Sequence, residues 1–258
     1  MKTLAHLSDL HVGRSAANDA AVRRLVAALV AAEVDKVLLC GDVTHRGRLR
    51  ELSDFRRLFA PIQERLVVVP GNHDRLGEDA AAWLMEGRVQ VDASPGLFAV
   101  RLDSTAPHNR SPMDCHGRLT PRDISEVEAA LARAPLGALV VLMLHHHLHP
   151  LPADDLFDRV SALAGWPFAD ELRLGGSLLH RLAGHCDLVL HGHRHRPSEL
   201  VLSADGPRPL RVLNAGASPA LGGARVFGHQ AGRIVCERWL PAGSPAPIRS
   251  PSGLPAAA

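Results

Sequence analysis

Five short apolar runs divide the chain, and each ends at a group of polar residues. They occupy residues 4–7, 37–40, 66–69, 139–144 and 188–190. Nearly continuous apolar runs are typical of strands covered on both faces, as in the parallel sheets of α/β proteins. The clearest run is 66–69, because Pro70 and Gly71 follow it and predict a tight turn. The pattern therefore predicts five buried strands.

Between the first three predicted strands, apolar residues recur with the period of a helix. Asn18 and Asp19 offer capping oxygens, and the apolar positions that follow are Val22, Leu25, Val26, Leu29 and Val30. A second helix is predicted over residues 51–60. This β-α-β-α-β order predicts a parallel sheet with right-handed crossovers.

The later part of the chain predicts shorter elements. Helices are expected at residues 78–86, 120–133 and 177–182, and strands at 97–102, 199–202, 210–213, 224–227 and 233–239. Because no helix is predicted between the last four strands, we expect them to form an antiparallel second sheet.

Two long segments interrupt this pattern: 104–117, which is polar, and 148–176, which contains several Pro and Gly residues and the acidic pair Asp154-Asp155. Loops of this length are often functional, and we expect the second to form a lid or rim beside the strand ends. Residues 241–258 are rich in Pro, Ala, Ser and Gly, which predicts a disordered tail. We therefore expect one domain over residues 1–240, followed by the tail 241–258.

The polar residues after the five strands carry carboxylate, imidazole and amide groups. They are Asp9, His11, Asp42, Asn72, His73, His145, His193 and His195. In α/β proteins, ligands bind outside the carboxyl ends of the strands. Each group alone is a weak signal, but all five in order predict a single metal site. The lack of thiolates argues against structural zinc and favours Mn²⁺, Fe²⁺/Fe³⁺ or Zn²⁺ held by oxygen and nitrogen ligands.

Five motifs carry a family resemblance. They are Asp9-Leu10-His11, Gly41-Asp42, Gly71-Asn72-His73-Asp74, His145 after its strand, and Gly192-His193-Arg194-His195. This set resembles the calcineurin-like metallophosphoesterase superfamily. Residues 101–104, 117–120 and 213–218 are also similar to its compact bacterial branch, which includes cyclic-nucleotide and glycerophosphodiester phosphodiesterases. The resemblance implies a four-layer α/β/β/α fold, in which a two-sheet β-sandwich is flanked by helices.

The resemblance also implies roles for the motif residues. Asp42 would bridge two divalent metal ions, one held by Asp9, His11, Asp42 and His195, the other by Asp42, Asn72, His145 and His193. Two ions about 3.5–4 Å apart lower the pKa of a bridging water, and the bridging hydroxide would attack a phosphodiester. The catalytic residues would be His73, which protonates the leaving alkoxide, and Asp74, which orients its ring.

Some histidine assignments stay open. The resemblance implies that the first histidine after the strand, His145, is the ligand, and strand alternation would then point His146 to the opposite side. A strand that ends one residue away would exchange the two. His147 and His149 either line the substrate rim or are solvated. His45 either approaches the phosphate or is a surface residue before a helix.

The composition narrows the class of partner. With 258 residues, 46% hydrophobic and 22% charged, the chain can form one substantial core. A net charge of +2 and 3% aromatic residues argue against a nucleic-acid surface. No apolar stretch reaches the ~20 residues of a membrane span, and the first residues leave no room for a cleavable signal. The four cysteines form no Cys-x-x-Cys pair, so we expect a cytoplasmic protein without membrane contact.

The leading hypothesis is a hydrolase, a metal-dependent phosphoesterase that acts on a small phosphodiester such as a cyclic nucleotide or a glycerophosphodiester. A nuclease of the same superfamily is an alternative that charge and aromatic content disfavour. A non-catalytic, metal-binding regulatory protein is a third hypothesis, which the intact His73 disfavours. The sequence leaves the oligomeric state open, a homodimer included.

Overall fold

The computed structural model describes residues 1–151, 171–202 and 209–243. In chain order the elements there are β1 (Lys2–Leu7), α1 (Ala16–Ala31), β2 (Lys36–Cys40), α2 (Leu49–Phe59), β3 (Leu66–Val69), β4 (Val89–Ser94), β5 (Leu97–Leu102), α3 (Pro121–Leu131), β6 (Leu139–Met143), α4 (Gly175–Leu182), β7 (Leu188–His191), β8 (Ser198–Leu202), β9 (Leu210–Asn214), α5 (Ser218–Leu221), β10 (Gly223–Gln230) and β11 (Arg233–Pro241). Short 3₁₀ segments lie at Ala60–Arg65, His73–Arg75, Ala80–Trp83 and Pro107–Arg110. None of the helices in these ranges combines the length and the apolar character needed to cross a bilayer.

The strands form two mixed sheets. The first has the order β11-β10-β1-β2-β3, in which β1, β2 and β3 are parallel and β10 and β11 are antiparallel to their neighbours. The second has the order β4-β5-β6-β7-β9-β8, with four parallel central strands and an antiparallel strand at each edge. Parallel strands bring their carboxyl ends to the same edge of a sheet, which is where ligands bind in α/β proteins.

Alternating side chains build three apolar layers. In β2, Val37 and Leu39 pack against the helices α1 and α2, whereas Leu38 and Cys40 pack between the two sheets. In β6, Val140 packs on the opposite outer face with residues of α3 and α4. Because both faces are covered, these strands are unbroken apolar runs in the sequence. The predicted α/β fold, a two-sheet sandwich flanked by helices, is confirmed.

The prediction for the last four strands is wrong. They do not form an antiparallel second sheet of their own: β8 and β9 extend the second sheet, and β10 and β11 complete the first. β10 pairs with β1, so that Phe227 packs between the sheets and Val226 packs on the side of α1. Short connections predict that consecutive strands are neighbours, but they do not determine which sheet receives them.

Two smaller differences between the predicted and the observed elements have local causes. The helix predicted at 78–86 is a single 3₁₀ turn, Ala80–Trp83, and Asp79 before it has a left-handed conformation with φ of 58°. The strand β4 is not predicted by the apolar pattern, because it is a half-buried edge strand that contains Gln90 and Asp92.

Two predicted segments lie largely outside the described residues. They are the lid or rim, 148–176, of which 152–170 is not described, and the tail, 241–258, of which 244–258 is not described. The first residue of that tail, Pro241, belongs to β11.

Two arginines and two glutamates link the sheets along one side. Arg211 of β9 donates to Glu199 of β8 at 2.8 Å and to Glu237 of β11 at 2.7 Å. Arg225 of β10 donates to the remaining oxygens of the same glutamates at 3.0 and 2.7 Å. These four side chains, called the Arg–Glu ring below, join β8 and β9 of one sheet to β10 and β11 of the other.

Candidate metal centre

The carboxyl ends of β1, β2 and β3 meet those of β6 and β7 at one end of the sandwich. The Asp9 N–H donates to the Gly41 carbonyl at 3.1 Å, and the Gly192 N–H donates to the His145 carbonyl at 3.0 Å. Between the sheets, His145 Nδ1 donates to the Cys40 carbonyl at 2.8 Å. The five strand ends therefore form one site whose donors come from both sheets.

Four of the predicted ligands have a left-handed main-chain conformation. The angle φ is 56° at Asp9, 46° at His11, 49° at Asp42 and 69° at His193. Residues with a side chain rarely adopt this region, which costs on the order of 1–3 kcal/mol and is concentrated at functional sites. The conformation turns each side chain sharply from the strand towards the site.

Two glycines are required because other atoms lie where a side chain would begin. A Cβ atom at Gly71 would lie 2.2 Å from Oδ1 of Asp42, and one at Gly192 would lie 1.7 Å from Oγ of Ser8. Any side chain at these positions would push the neighbouring strand end out of place. These contacts explain why Gly precedes Asn72 and His193 in the two motifs.

Asp42 lies between histidines of the two sheets. Its Oδ2 is 3.7 Å from Nε2 of His11, and its Oδ1 is 3.5 Å from Nε2 of His145. All three residues are buried, with 2%, 3% and 0% of their surface exposed, respectively. The two oxygens of one carboxylate thus face two different imidazoles, as expected of a residue that bridges two ions.

The side-chain oxygen of Asn72 faces two further imidazoles. It lies 3.1 Å from Nε2 of His145 and 3.1 Å from Nδ1 of His193. Asn72 follows β3 of the first sheet, whereas both histidines follow strands of the second. The four residues predicted for the second cation, including Asp42, are therefore together.

Asp9 contacts the last two histidines of the set. Its Oδ1 lies 3.6 Å from Nε2 of His195, and its Oδ2 accepts from the His193 main-chain N–H at 3.2 Å. Asp9, His11 and His195 each present a ligand atom within 4.8 Å of the others. The residues predicted for the first cation are therefore also close enough to share one ion.

The donor set fits divalent cations. In neutral His145, Nδ1 carries the proton that is donated to Cys40, so Nε2 presents only a lone pair. That nitrogen, the Asn72 oxygen and Oδ1 of Asp42 are three acceptors that face one another. Among the described residues, neither ring nitrogen of the buried His11 has a hydrogen-bond partner. A cation between buried acceptors in this arrangement would satisfy them, and carboxylate, imidazole and amide ligands suit Mn²⁺, Fe²⁺ or Zn²⁺.

Burial sets the protonation states of these ligands. Burial lowers the pKa of His11 and His193 far below the ordinary value, so both imidazoles are neutral at pH 7. Burial alone would raise the pKa of Asp42, but the imidazoles of His145, His73 and His11 outweigh it and hold the pKa below its usual range. Neutral imidazoles and ionised carboxylates are the forms that bind metals.

His73 lies beside these ligands and is half-buried. Its main-chain N–H donates to Oδ1 of Asp42 at 2.8 Å, and its ring Nδ1 donates to the carbonyl of His45, also at 2.8 Å. The ring centroid is 4.6 Å from that of His11. Because Nδ1 is engaged by the carbonyl, Nε2 is the nitrogen that can exchange a proton with a substrate.

The prediction that Asp74 orients the His73 ring is wrong. Asp74 is fully buried, and its carboxylate accepts from the N–H and the hydroxyl of Thr44, at 2.8 and 2.7 Å, and from the Gly71 N–H at 2.8 Å. Burial and the nearby Asp42 carboxylate raise its pKa to about 6. Asp74 therefore holds the turns after β2 and β3 together, and a carbonyl orients the His73 ring.

Residues of the loop that follows β5 form hydrogen bonds with both ring nitrogens of His146. The hydroxyl of Ser104 lies 2.8 Å from its Nδ1, and its Nε2 donates to the Cys115 carbonyl at 2.9 Å. Ser104 Oγ also accepts from the main-chain N–H groups of His145 and His146, at 3.3 and 3.2 Å. Both ring nitrogens of His146 are thus engaged, whereas His145 keeps Nε2 for the site.

His147 is another histidine whose place the sequence left open. His147 is 1% exposed, so it is not solvated, and burial lowers its pKa to about 2. His147 stacks over His193 at 5.8 Å between ring centroids. The sequence left His45 unassigned and gave Ser104 no role at the site, since neither stands in a metal motif. The signals for Ser104 were its place two residues after the predicted strand 97–102 and the family similarity of residues 101–104.

Comparisons with known proteins agree with this arrangement. Residues 2–197 match the family described as calcineurin-like phosphoesterase. A protein named probable cyclic nucleotide phosphodiesterase, from Vesicomyosocius okutanii, is 22% identical over 196 residues, which cover 75% of this chain and 76% of that protein. A protein of the same name from Ruthia magnifica is 18% identical over 200 residues, with the same coverage of both chains.

Two solved structures share the fold. A dimetal phosphatase from Danio rerio has a TM-score of 0.59 at 12% identity, covering 94% of this chain and 99% of its own. A purple acid phosphatase from yellow lupin seeds has a TM-score of 0.60 at 11% identity, covering 93% of this chain and 53% of its own. At such identities the likeness concerns the fold.

Proposed function

The chain belongs to the calcineurin-like phosphoesterase family and is therefore a hydrolase, and we propose that it cleaves a small phosphodiester at a site for two divalent cations. The observation that carries the proposal is the position of Asp42, whose two oxygens face His11 from one sheet and His145 from the other. A carboxylate shared in this way suits a pair of ions better than a single one.

Each cation would have four protein ligands in this proposal. The first set is Asp9, His11, Asp42 and His195, and the second is Asp42, Asn72, His145 and His193. When bound, the ions would activate a water molecule and place positive charge beside the phosphoryl oxygens. Mn²⁺, iron and Zn²⁺ are the ions that the donor types favour.

The ligand charges favour an anionic substrate. Asp9 and Asp42 are the only two carboxylates in the proposed ligand set, so they offset half of the charge of two divalent cations. Asn72 and the imidazoles add no negative charge, and burial keeps the imidazoles of His11 and His193 neutral. The loaded site would therefore stay positive and attract a phosphodiester, which carries one negative charge.

His73 would protonate the leaving alkoxide. Its Nδ1–H is held by the His45 carbonyl, so Nε2 faces away from that contact and is available to the substrate. The ring is half-buried, which lets a substrate reach it while its main chain is fixed on Asp42. General acid catalysis of this kind contributes about 10²–10⁴-fold to the rate.

The names of the relatives suggest which phosphodiester to test first. Two proteins named probable cyclic nucleotide phosphodiesterase match three quarters of this chain. We therefore place a cyclic nucleotide first and a glycerophosphodiester second. The experiment uses metal-free protein reloaded with Mn²⁺, Fe²⁺ or Zn²⁺ and assayed on 3′,5′-cyclic AMP, glycerophosphocholine, p-nitrophenyl phosphate and a short oligonucleotide.

The proposal expects metal-dependent hydrolysis of at least one of the two small diesters, faster than that of the monoester. Cleavage of the oligonucleotide alone would replace the proposal with a nuclease. Hydrolysis of the monoester alone would make the protein a phosphomonoesterase. No hydrolysis with any of the three metals would contradict the proposal altogether.

A further inference from the structure

A histidine outside the metal motifs shares the space of the site. His45 lies between β2 and α2, where its main-chain N–H donates to the Val12 carbonyl at 3.0 Å. Its ring is nearly parallel to that of His73, with 5.7 Å between centroids and 22° between planes. It also meets the ring of His11 edge-on at 5.8 Å. The three imidazoles each present a ligand atom within 4.8 Å of the others.

The His45 ring has an unsatisfied polar atom. Its Nδ1 is buried, and no residue in the described ranges makes a hydrogen bond to it. A buried polar atom without a partner destabilises the folded protein, so such atoms are normally satisfied by water or by a ligand. The residue as a whole is only half-buried, so a ligand can reach the ring from solvent.

The main-chain carbonyl of His45 orients the ring of His73, the proposed general acid. This carbonyl accepts from Nδ1 of His73 at 2.8 Å, so the two residues keep a fixed relative position. Wherever the leaving oxygen receives a proton from Nε2 of His73, the rest of the leaving group extends from that oxygen. The ring of His45 stacks 5.7 Å from the His73 ring that would supply this proton, so it places a polar side chain close to the leaving group.

We propose that the His45 side chain binds the leaving-group part of the phosphodiester substrate and so acts as a specificity-determining residue. This inference rests on the proposed function, because it assumes a diester whose leaving group departs beside His73. A neutral imidazole suits the task, since it can donate one hydrogen bond and accept another from an alcohol or an ester oxygen. It does so without adding charge next to two cations.

The binding experiment separates this role from catalysis. Metal-loaded His73→Ala protein is titrated by calorimetry with 3′,5′-cyclic AMP or glycerophosphocholine, whichever the wild type hydrolyses, because the variant should bind a diester with an alkyl leaving group but turn it over slowly. Adding His45→Ala is expected to raise Kd about tenfold, which corresponds to the loss of roughly one good hydrogen bond. The alanine variant keeps the carbonyl that holds residue 73, and His45→Gln, which keeps a donor and an acceptor, should restore part of the affinity.

The kinetic experiment locates the contact. In protein that keeps His73, His45→Ala should raise KM by the same factor for bis(p-nitrophenyl) phosphate and for methyl p-nitrophenyl phosphate, because the two substrates share a leaving group. Methyl phosphate as an inhibitor, which lacks the leaving group, should bind the variant as it binds the wild type. Arg46→Ala, at the neighbouring exposed position, is the matched control and should change neither quantity.

Three outcomes would overturn the inference. An unchanged Kd and KM in His45→Ala, with the wild type active, would remove His45 from the substrate site while the proposed function stands. Weaker inhibition by methyl phosphate would place the ring against the phosphoryl group instead. A fall from three bound ions to two, measured by elemental analysis, would show that His11, His45 and His73 hold a cation. Inactivity of the wild type would be a failure of the proposed function itself.

Discussion

His145 and His146 are neighbours in the chain, yet their ring nitrogens have different partners. His145 donates from Nδ1 to a carbonyl and keeps Nε2 towards Asp42 and Asn72. His146 uses both nitrogens to hold the loop after β5 through Ser104 and a carbonyl. Substitutions at the two positions should therefore have different consequences.

We expect His145→Ala to lose one of two bound cations and most of the activity. His146→Ala should keep both cations and lose stability, because the Ser104 O–H would lose its acceptor and the Cys115 carbonyl its donor, at about 1–3 kcal/mol each. Elemental analysis after dialysis measures the number of bound cations, and thermal unfolding measures the loss of stability. Loss of a cation in His146→Ala but not in His145→Ala would reverse the ligand assignment.

His73 offers a second test at this scale. His73→Ala should lower kcat by about 10²–10⁴-fold on a diester with an alkyl leaving group and much less on one with p-nitrophenolate, which needs no proton. The content of bound metal should not change. His180→Ala, at an exposed position of α4, is the control. Equal losses on both substrates would contradict a general acid at position 73.

Among the elements, the turn after β3 is the most constrained. A Cβ atom at Gly71 would lie 2.2 Å from the Asp42 carboxylate, so Gly71→Ala should displace the proposed bridging ligand. We expect weaker binding of both cations and a lower melting temperature. Gly176→Ala is the control, since nothing lies within 4 Å of a Cβ atom there. Full metal content in Gly71→Ala would mean that the turn can relax without moving Asp42.

The Arg–Glu ring is an element-scale contact that depends on pH. Burial alone would raise the pKa of Glu199, but hydrogen bonds and charge from Arg211 and Arg225 outweigh it and lower the pKa below the ordinary 4.5. A lowered pKa in the folded state stabilises the protein above about pH 4.5, and this contribution is lost as the pH falls through the lowered pKa.

We therefore expect Glu199→Gln to lower the melting temperature by about 1–3 °C at pH 7, the range of a partly exposed ion pair. The difference from wild type should shrink as the pH falls below 4.5, measured in metal-free protein. Glu64→Gln, at an exposed position of the 3₁₀ segment after α2, controls for a general charge effect. A difference that stays constant with pH would rule out the charge of Glu199 as its source.

Much of the site could be predicted from the sequence, because its residues directly follow apolar runs that form strands covered on both faces. The roles of Asp74 and His146 could not, since they depend on contacts between distant segments. Asp74 accepts from Thr44, 30 positions away, and His146 meets Ser104, 42 positions away. The same limit applies to β10, whose pairing with β1 depends on the packing of the whole sandwich.

At the scale of the whole molecule, the proposed ligands belong to two sheets that pack through an apolar layer and are linked by polar contacts such as the Arg–Glu ring and the hydrogen bond from His145 to the Cys40 carbonyl. A bound cation would therefore add a direct link between the sheets. Any ligand that binds only the folded protein stabilises it by about 2.7 kcal/mol at a hundredfold excess over Kd. For a chain of this size, that should raise the melting temperature by several degrees.

Thermal unfolding of metal-free protein titrated with Mn²⁺ measures this link. The melting temperature should rise with metal concentration, and Asp42→Asn should lose most of the rise because it removes the charge facing both sheets. Mg²⁺, which prefers oxygen ligands, should have a smaller effect. An equal response of wild type and Asp42→Asn would mean that the metal binds elsewhere.

Asp9 and His193, which touch in the folded protein, are 184 positions apart in the chain. During synthesis, the amino-terminal half of the site would leave the ribosome long before its counterpart exists. A nascent polypeptide halted ahead of β7 would lack His193 and His195, so neither proposed ligand set would be complete. Metal loading in the cell should thus be a late event that follows translation of the second sheet.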